Sequence, residues 1–227
     1  IAPAPWGSFF DCGDFQILSN SPERFLQFKN GLLQTRPMKG TRKRGISPQE
    51  DELLANDIST SPKDIAELLM ITDLERNDLG RICEYGSVNV RTLRQIEKYS
   101  YVYQAVSVVE GILKKDKTLF DALRACFPGG SITGCPKIRA MEIIEQLEPT
   151  RRSIYTGSLG YITFSGHMDF NILIRTLLRK NNKVYGQVGS GIVADSTPEN
   201  EYQETLTKAK AMLSSLQQVL SRPKVIV

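Results

Sequence analysis

Three carboxylates, two lysines and two glycine-rich segments are the parts of this chain best suited to chemistry. Glu201, Glu204 and Lys208 follow one another at 3–4 spacing, which stacks them on one flank of a helix. Such a flank is either an exposed, ion-paired helix face or a pair of carboxylates offering hard oxygen ligands to Mg²⁺. That ion takes one or two carboxylates and fills its other positions with water and substrate oxygens. Glu67, inside the apolar run Ile65-Ala66-Glu67-Leu68-Leu69-Met70, is either turned to solvent or deliberately buried, and spacing leaves both open. The segment Phe127-Pro-Gly-Gly-Ser-Ile-Thr-Gly-Cys-Pro-Lys137 ends at an expected helix N-terminus, whose free N–H groups suit an anion. Gly186-Gln-Val-Gly-Ser-Gly-Ile-Val193 ends a strand, where glycines let a ligand approach the backbone. Tight turns would need the same glycines. Lys39, in Arg36-Pro-Met-Lys-Gly-Thr41, lies beside arginines whose like charge disfavours an ammonium, and a neutral lysine is a nucleophile. The plainer alternative is an ordinary loop lysine.

These side chains need elements to carry them. Residues 8–10 and 15–19 alternate as strands around Gly13-Asp14, and 24–28 pairs back through Asn30-Gly31 toward Leu32-Leu33. Helices are expected over 49–57 and 62–76, the second opening with Ser61-Pro62 as N-cap and first-turn proline. Strand signal returns near 87–92. Further helices are expected over 98–111 and from Leu119 to Cys126, the latter broken by Pro128-Gly129-Gly130. A helix from Pro136 carries Ile138, Met141, Ile144 and Leu147 on one face and stops before Pro149. Three strands, 154–164, 169–179 and 183–193, follow, the last two turning at Asn181-Asn182. A final helix runs from Thr197-Pro198 to about Leu220 with the stripe Tyr202, Leu206, Ala209, Leu213, Leu216 and Leu220. No internal repeat or low-complexity linker interrupts the pattern. The expected fold class is α+β, one domain over 1–227 with antiparallel sheets and covering helices.

Composition narrows the function classes. Apolar residues at 41% and charged residues at 24% exclude disorder and collagen-like chains. No apolar run approaches the roughly 18–20 residues of a membrane span, and no signal peptide opens the chain. Ile1 in place of methionine is read as the start of a fragment or processed chain. Cys12, Cys83, Cys126 and Cys135 lack the close pairing of zinc sites and suit reduced thiols. The net charge of +4 includes a basic run, Arg36, Lys39, Arg42, Lys43 and Arg44. Without aromatic interleaving it does not suggest nucleic acid; it suits a solvated loop or a small anionic substrate. His167, the chain's one histidine, is read as a surface turn residue.

Seven segments in one order carry a resemblance. They are Ser21-Pro-Glu-Arg-Phe25, Arg36 to Thr41, Asp73-Leu-Glu-Arg-Asn-Asp-Leu-Gly-Arg81, Phe127 to Lys137, Gly160-Tyr161, Gly191-Ile-Val-Ala-Asp195 and Glu201-Tyr-Gln-Glu204. Together the chain resembles the chorismate-binding family of anthranilate, aminodeoxychorismate, isochorismate and salicylate synthases, over about the C-terminal half of a full member. The resemblance implies a Mg²⁺-dependent enzyme acting on chorismate within an antiparallel α+β fold.

The resemblance also implies roles. Glu67 and Glu204 match the magnesium ligands, with Glu201 as a further acidic group beside them. Glu23 matches the general acid that protonates the departing C4 hydroxyl, a role that needs a carboxyl kept protonated. Tyr161, Arg175 and Lys208 match positions contacting the substrate's carboxylates, and Thr41 belongs to the same substrate-binding set. The backbones of Gly130, Ser131, Thr133 and Gly134, and of Gly189, Ser190 and Gly191, would supply N–H donors. Lys39 implies the aminodeoxychorismate branch, since anthranilate synthases usually have alanine there. On that branch the lysine is the nucleophile, and ammonia comes from a glutamine amidotransferase partner. Anthranilate synthesis is the runner-up, and a non-catalytic chorismate-binding or partner-docking fragment is the alternative of a different class. Gln104 stands where many relatives carry histidine, which implies an enzyme stopping at the amino intermediate or one of reduced activity. A cytoplasmic location, with neither nucleic acid nor membrane as partner, completes the expectation.

Overall fold

The computed structural model describes residues 3–221. Local signals set most of its elements. Strands β1 (Trp6–Asp11) and β2 (Phe15–Ser21) form a hairpin through Gly13, at φ +87°. Strands β3 (Arg24–Lys29) and β4 (Leu32–Arg36) turn at Asn30-Gly31, both at positive φ, the conformation that a tight two-residue hairpin demands. Pro37 separates β4 from β5 (Met38–Lys43). Helices α1 (Pro48–Thr60) and α2 (Pro62–Ile82) each open with proline behind a serine cap: Ser47 accepts from the Glu50 N–H, and Ser61 from that of Asp64.

Strands β6 (Asn89–Lys98) and β7 (Val102–Ile112) follow, then α3 (Leu119–Cys126), which opens with a Thr118–Asp121 capping box. A single 3₁₀ turn spans Gly130–Ile132 ahead of α4 (Lys137–Leu147). The chain ends its described part with β8 (Gly160–Ile162), β9 (Met168–Asn171), β10 (Thr176–Lys180), β11 (Lys183–Gly186) and α5 (Pro198–Ser221). All strand pairings described are antiparallel. The fold is therefore α+β, as expected.

The chain divides into two compact units, one formed by Glu23–Ile172 and one by the residues before and after it. The smaller unit holds a four-stranded sheet in the order β1-β2-β10-β11, together with α5. The larger unit holds a seven-stranded sheet, β5-β7-β4-β3-β9-β8, with β6 also on β7. Strand β7 is its axis. One edge pairs with β6 along most of its length, and the other edge is shared by β5 (on 102–106) and β4 (on 109–112). Pro37 makes that sharing possible: it has no N–H to offer, but its carbonyl accepts from the Ser107 N–H between the two pairings. No helix among the described residues is long and apolar enough to cross a membrane, and all four cysteines are free thiols.

Two expectations are corrected here. The helix expected over 98–111 is instead β7. Tyr103 to Ser107 are all buried, and a strand covered on both faces has no alternation to distinguish it from a buried helix. Its valines and tyrosines favour the strand. The continuous strand expected over 169–179 is broken. Residues 172–175 leave the larger sheet after β9 and enter the smaller one at β10, with Arg175 at φ +53°. The flanking strands are also shorter than expected, since 154–159 and 187–193 lie outside regular structure. Helices α4 and α5 occupy their expected spans, but Ile138, Met141, Leu147, Tyr202, Leu206, Leu213 and Leu220 of their apolar stripes are exposed.

The core of the larger unit lies between its sheet and α2. Leu26, Leu33, Leu68, Val106 and Val109 are fully buried, each contributing roughly 1.5–3 kcal/mol by leaving water. A polar clamp sits at the edge of this core. The Lys137 ammonium, at the first residue of α4, donates to Asp78 Oδ2 at 2.5 Å and to the carbonyls of Cys126 and Pro128 at 3.1 and 2.7 Å. Both partners of this ion pair are buried, with side-chain exposures of 10% and 6%. Lys137→Met should therefore destabilise the protein by about 1–3 kcal/mol, because it leaves the Asp78 carboxylate with only the half-exposed Arg81, at 2.8 Å, and frees two carbonyls of their donor. Adding Asp78→Leu should recover part of that loss, and urea unfolding followed by circular dichroism measures both.

Candidate functional site

Lys39 lies on β5, opposite Ala105 of β7. The register slips by one residue between Lys39 and Thr41, and Gly40 at φ +81° is the extra residue. A side chain at Gly40 would also crowd Asp64, at 3.0 Å. Such a bulge re-aims its neighbours, and Lys39 Nζ makes a long contact, 3.5 Å, with the Ser131 carbonyl of the glycine-rich segment. Thr41 follows the bulge, exposed, opposite the buried Gln104. The basic run around it is internally compensated. Arg36 pairs with Glu97, Arg42 with Asp57 and Asp64, and Arg44 with both oxygens of Asp51. The field that these arginines were expected to cast on Lys39 is balanced by carboxylates at its source.

The glycine-rich segment turns tightly over α2. Thr133 Oγ1 donates to the Gly129 carbonyl at 2.9 Å, and Gly134 adopts φ +140°. Gly130 has no room for a side chain, since a Cβ would come within 3.0 Å of Leu74 and 3.3 Å of Glu75. Phe127 meets Phe25 edge to face at 6.0 Å. Ser131 Oγ is buried and has no hydrogen-bond partner among the described residues. A buried hydroxyl without a partner is costly, so this one is suited to a ligand. Glu23, only 5% exposed, lies just before β3, and its carbonyl accepts from the Ile172 N–H at 3.0 Å. Glu67 is half-buried on α2, while Tyr161 is exposed on β8 opposite Asp169. His167 is in the β8–β9 turn, half-buried, its N–H donating to Thr163 Oγ1.

In the smaller unit, residues 187–197 connect β11 to α5 and fold against that helix. Lys208 Nζ donates to the Gly189 carbonyl at 2.9 Å and pairs with Glu204 Oε1 at 2.5 Å. Ser190 Oγ donates to the Glu201 carbonyl, and Ser196 Oγ to Glu201 Oε1 at 2.6 Å. Arg175 donates from its guanidinium to the Lys208 carbonyl at 3.0 Å. The unit thus gathers Arg175, Gly189, Ser190, Glu201, Glu204 and Lys208 around one stretch of α5, with Gly191 exposed beyond. Glu201 is 8% exposed, so the flank expected to be either ion-paired or metal-binding combines a surface pair with a buried carboxylate. Its donors are all oxygens, which fits the chemistry of Mg²⁺. Among the described residues, no three His, Cys, Asp or Glu side chains are gathered closely enough to hold a metal ion.

Glu75 was not anticipated. It lies on the buried stripe of α2, between Ile71 and Leu79, and accepts a 2.6 Å hydrogen bond from Thr35 Oγ1 of β4. Burial pushes its carboxyl up to about 8. The charges of Glu23 and Asp78 push the same way, while Thr35 and Lys137 oppose them. Burial likewise raises Asp78, against the pull of Lys137 and Arg81. A carboxylate at a core position of the 3–4 pattern is a signal already present in the sequence.

The family described as chorismate binding enzyme matches residues 1–214. An anthranilate synthase component I-like protein of Synechocystis sp. is 52% identical over 96% of the chain and 45% of its own length. Aminodeoxychorismate synthase component 1 of Bacillus subtilis is 48% identical over 96% of the chain and 46% of its own length. The crystal structure of anthranilate synthase component I from Streptococcus pneumoniae superposes with a TM-score of 0.83 at 44% identity, covering 92% of this chain and 46% of that one. The chain thus spans a little under half the length of these relatives. With its antiparallel fold and a family match along nearly all of its length, the chain belongs to the chorismate-binding enzymes.

Proposed function

We infer that the protein aminates chorismate at C4, making 4-amino-4-deoxychorismate on the way to p-aminobenzoate and folate. The observation that carries this reading is Lys39, directed by the Gly40 bulge to the Ser131 carbonyl, beside a buried hydroxyl that has no partner among the described residues. The similarity to aminodeoxychorismate synthase component 1 supports it. In this mechanism Lys39 Nζ forms a bond to C2 of chorismate. The ring double bonds shift, and the C4 oxygen leaves as water after taking the proton of Glu23. Ammonia then bonds to C4 while the C2–Nζ bond breaks, which returns Lys39 to its starting state, and a proton of the new C4 ammonium returns to the Glu23 carboxylate. The glycine-rich turn would meet a substrate carboxylate with the N–H groups of Gly130, Ser131 and Gly134 and with Ser131 Oγ, whereas the Thr133 N–H, expected to join them, is used on the Gly130 carbonyl at 3.3 Å. The carboxylates of Glu201 and Glu204 would hold Mg²⁺, and when bound the ion neutralises the substrate's ring carboxylate. Ammonia is supplied by a glutamine amidotransferase partner, and a cytoplasmic location belongs to the same proposal.

A second reading has its own support in the names of several relatives, anthranilate synthase component I or like it. There ammonia would attack C2 directly and Lys39 would be a bystander. Product identity by liquid chromatography and mass spectrometry separates the two, using the complete protein with chorismate, Mg²⁺ and ammonium. The expected product is aminated at C4; anthranilate or its C2-amino precursor would replace this reading by the second. Lys39→Ala should abolish C4 amination, and an unchanged rate would remove the covalent step. Glu23→Gln should slow turnover by roughly 10²- to 10⁴-fold, the usual worth of a general acid, and a full-rate variant would exclude that role. Glu204→Gln should raise the Mg²⁺ concentration needed for half-maximal activity; an unaltered titration would place the metal elsewhere.

A further inference from the structure

The Asp73 to Arg81 segment runs through the core stripe of α2, yet the proposed chemistry makes no use of Glu75. This side chain touches the candidate site from beneath. Its Cγ packs where a Cβ on Gly130 would otherwise go, and its carboxyl is tied to Thr35 of β4. Thr35, Glu75, Asp78 and Gly130 also line one small cavity below the turn. The next residue, Ser131, carries both the carbonyl facing Lys39 and the buried hydroxyl that lacks a partner among the described residues.

We propose that Glu75 is a positioning residue for this site, a buried carboxyl that must stay neutral for the Gly130–Ser131 turn to accept an anionic substrate and that weakens binding when it ionises. The inference rests on the chorismate-binding reading of that turn. An ionised Glu75 would place a negative charge beneath Gly130, close to the turn that this reading assigns to a substrate carboxylate. The groups around it decide when that happens. Glu23 ahead of β3 and Asp78 on the same helix repel the charge, Lys137 at the start of α4 attracts it, and Thr35 stabilises it by hydrogen bonding. The Cys126 thiol, at the end of α3 and also lining the cavity, is itself pushed up to about 12 by burial and stays neutral throughout. With the Glu75 carboxyl raised to about 8, the binding-competent fraction falls through the mildly alkaline range.

The test is the dissociation constant of chorismate for the complete protein with Mg²⁺, measured between pH 7 and pH 9.5 in the parent and in Glu75→Gln. The amide can still accept from Thr35 but cannot ionise. The parent should lose about tenfold in affinity from pH 7 to pH 9, while the ratio of variant to parent affinity rises by the same factor. Parallel curves would overturn the role of Glu75. No chorismate binding by the parent at pH 7 would instead overturn the underlying functional reading.

Folding stability gives a readout that needs no ligand. Between the ordinary value of 4.5 and about 8, the folded protein holds a proton that the unfolded chain has released. Glu75 therefore lowers stability as pH rises through that window and has no further effect above it. The folding equilibrium of Glu75→Gln should improve on the parent by about tenfold per pH unit from about pH 5 to about pH 8, then level off. A pH-independent difference would show that Glu75 does not titrate as a buried acid and would equally overturn the proposal. Should the glutamine variant fold poorly, Glu75→Met, apolar and of similar length, should show the same flattened binding profile.

Discussion

The larger unit depends on one buried ammonium. Lys137 is held among Asp78, the Cys126 carbonyl and the Pro128 carbonyl, three acceptors contributed by α2, the end of α3 and the start of the glycine-rich segment. A charge this buried is tolerable only when its donors are used, so the three chain segments must converge on it. That convergence seats the Gly129–Gly134 turn against α2, and only glycine at 130 lets the turn come so close. The position of Ser131, and hence of the carbonyl that meets Lys39, follows from a contact made by neither residue.

The electrostatics of the basic run show a related economy. Read as a list of charges, Arg36 to Arg44 is a cationic stretch that could attract any anion. In the folded unit its three arginines are engaged by Glu97, Asp57, Asp64 and Asp51, and Arg44 also stacks over Tyr103 at 4.9 Å. These pairs tie β4 to β6, and β5 with the residue after it to α1 and α2, so they act as structure more than as a field. Net charge says little about a site when the counter-ions are built into neighbouring elements.

What could be read from the chain alone followed the range of the interactions concerned. Helices α1, α2 and α5 and the turns at Asn30-Gly31 and Asn181-Asn182 are set by neighbours a few residues away, and the chain declares them. Strand β7 is set by the adjoining β6 and by two partners distant in sequence, β4 and β5, and its continuous burial erased the alternation that would have identified it. The break between β9 and β10 was hidden for the same reason, since nothing in Asn171 to Thr176 marks a change of sheet. Among the candidate site residues, Lys39 and the glycine-rich segment drew attention by composition. Glu75 and Lys137 did not, although a carboxylate on the apolar stripe of α2 broke the local pattern visibly. Residues whose importance comes from what they are buried beside become legible only when the burying partners are known.

Arg175 carries a different kind of consequence. It adopts a left-handed backbone at the point where the chain passes from β9 to β10, a conformation that costs a residue with a Cβ about 1–2 kcal/mol and glycine almost nothing. Its carbonyl receives the Asn20 N–H, and its guanidinium holds the Lys208 carbonyl on α5, a reach that glycine lacks. Backbone comfort and side-chain reach therefore point to different residues at this one position. Sequence optimisation guided by stability alone would be drawn to replace the arginine, and the more stable chain would have lost the tether between its last helix and the neighbouring sheet.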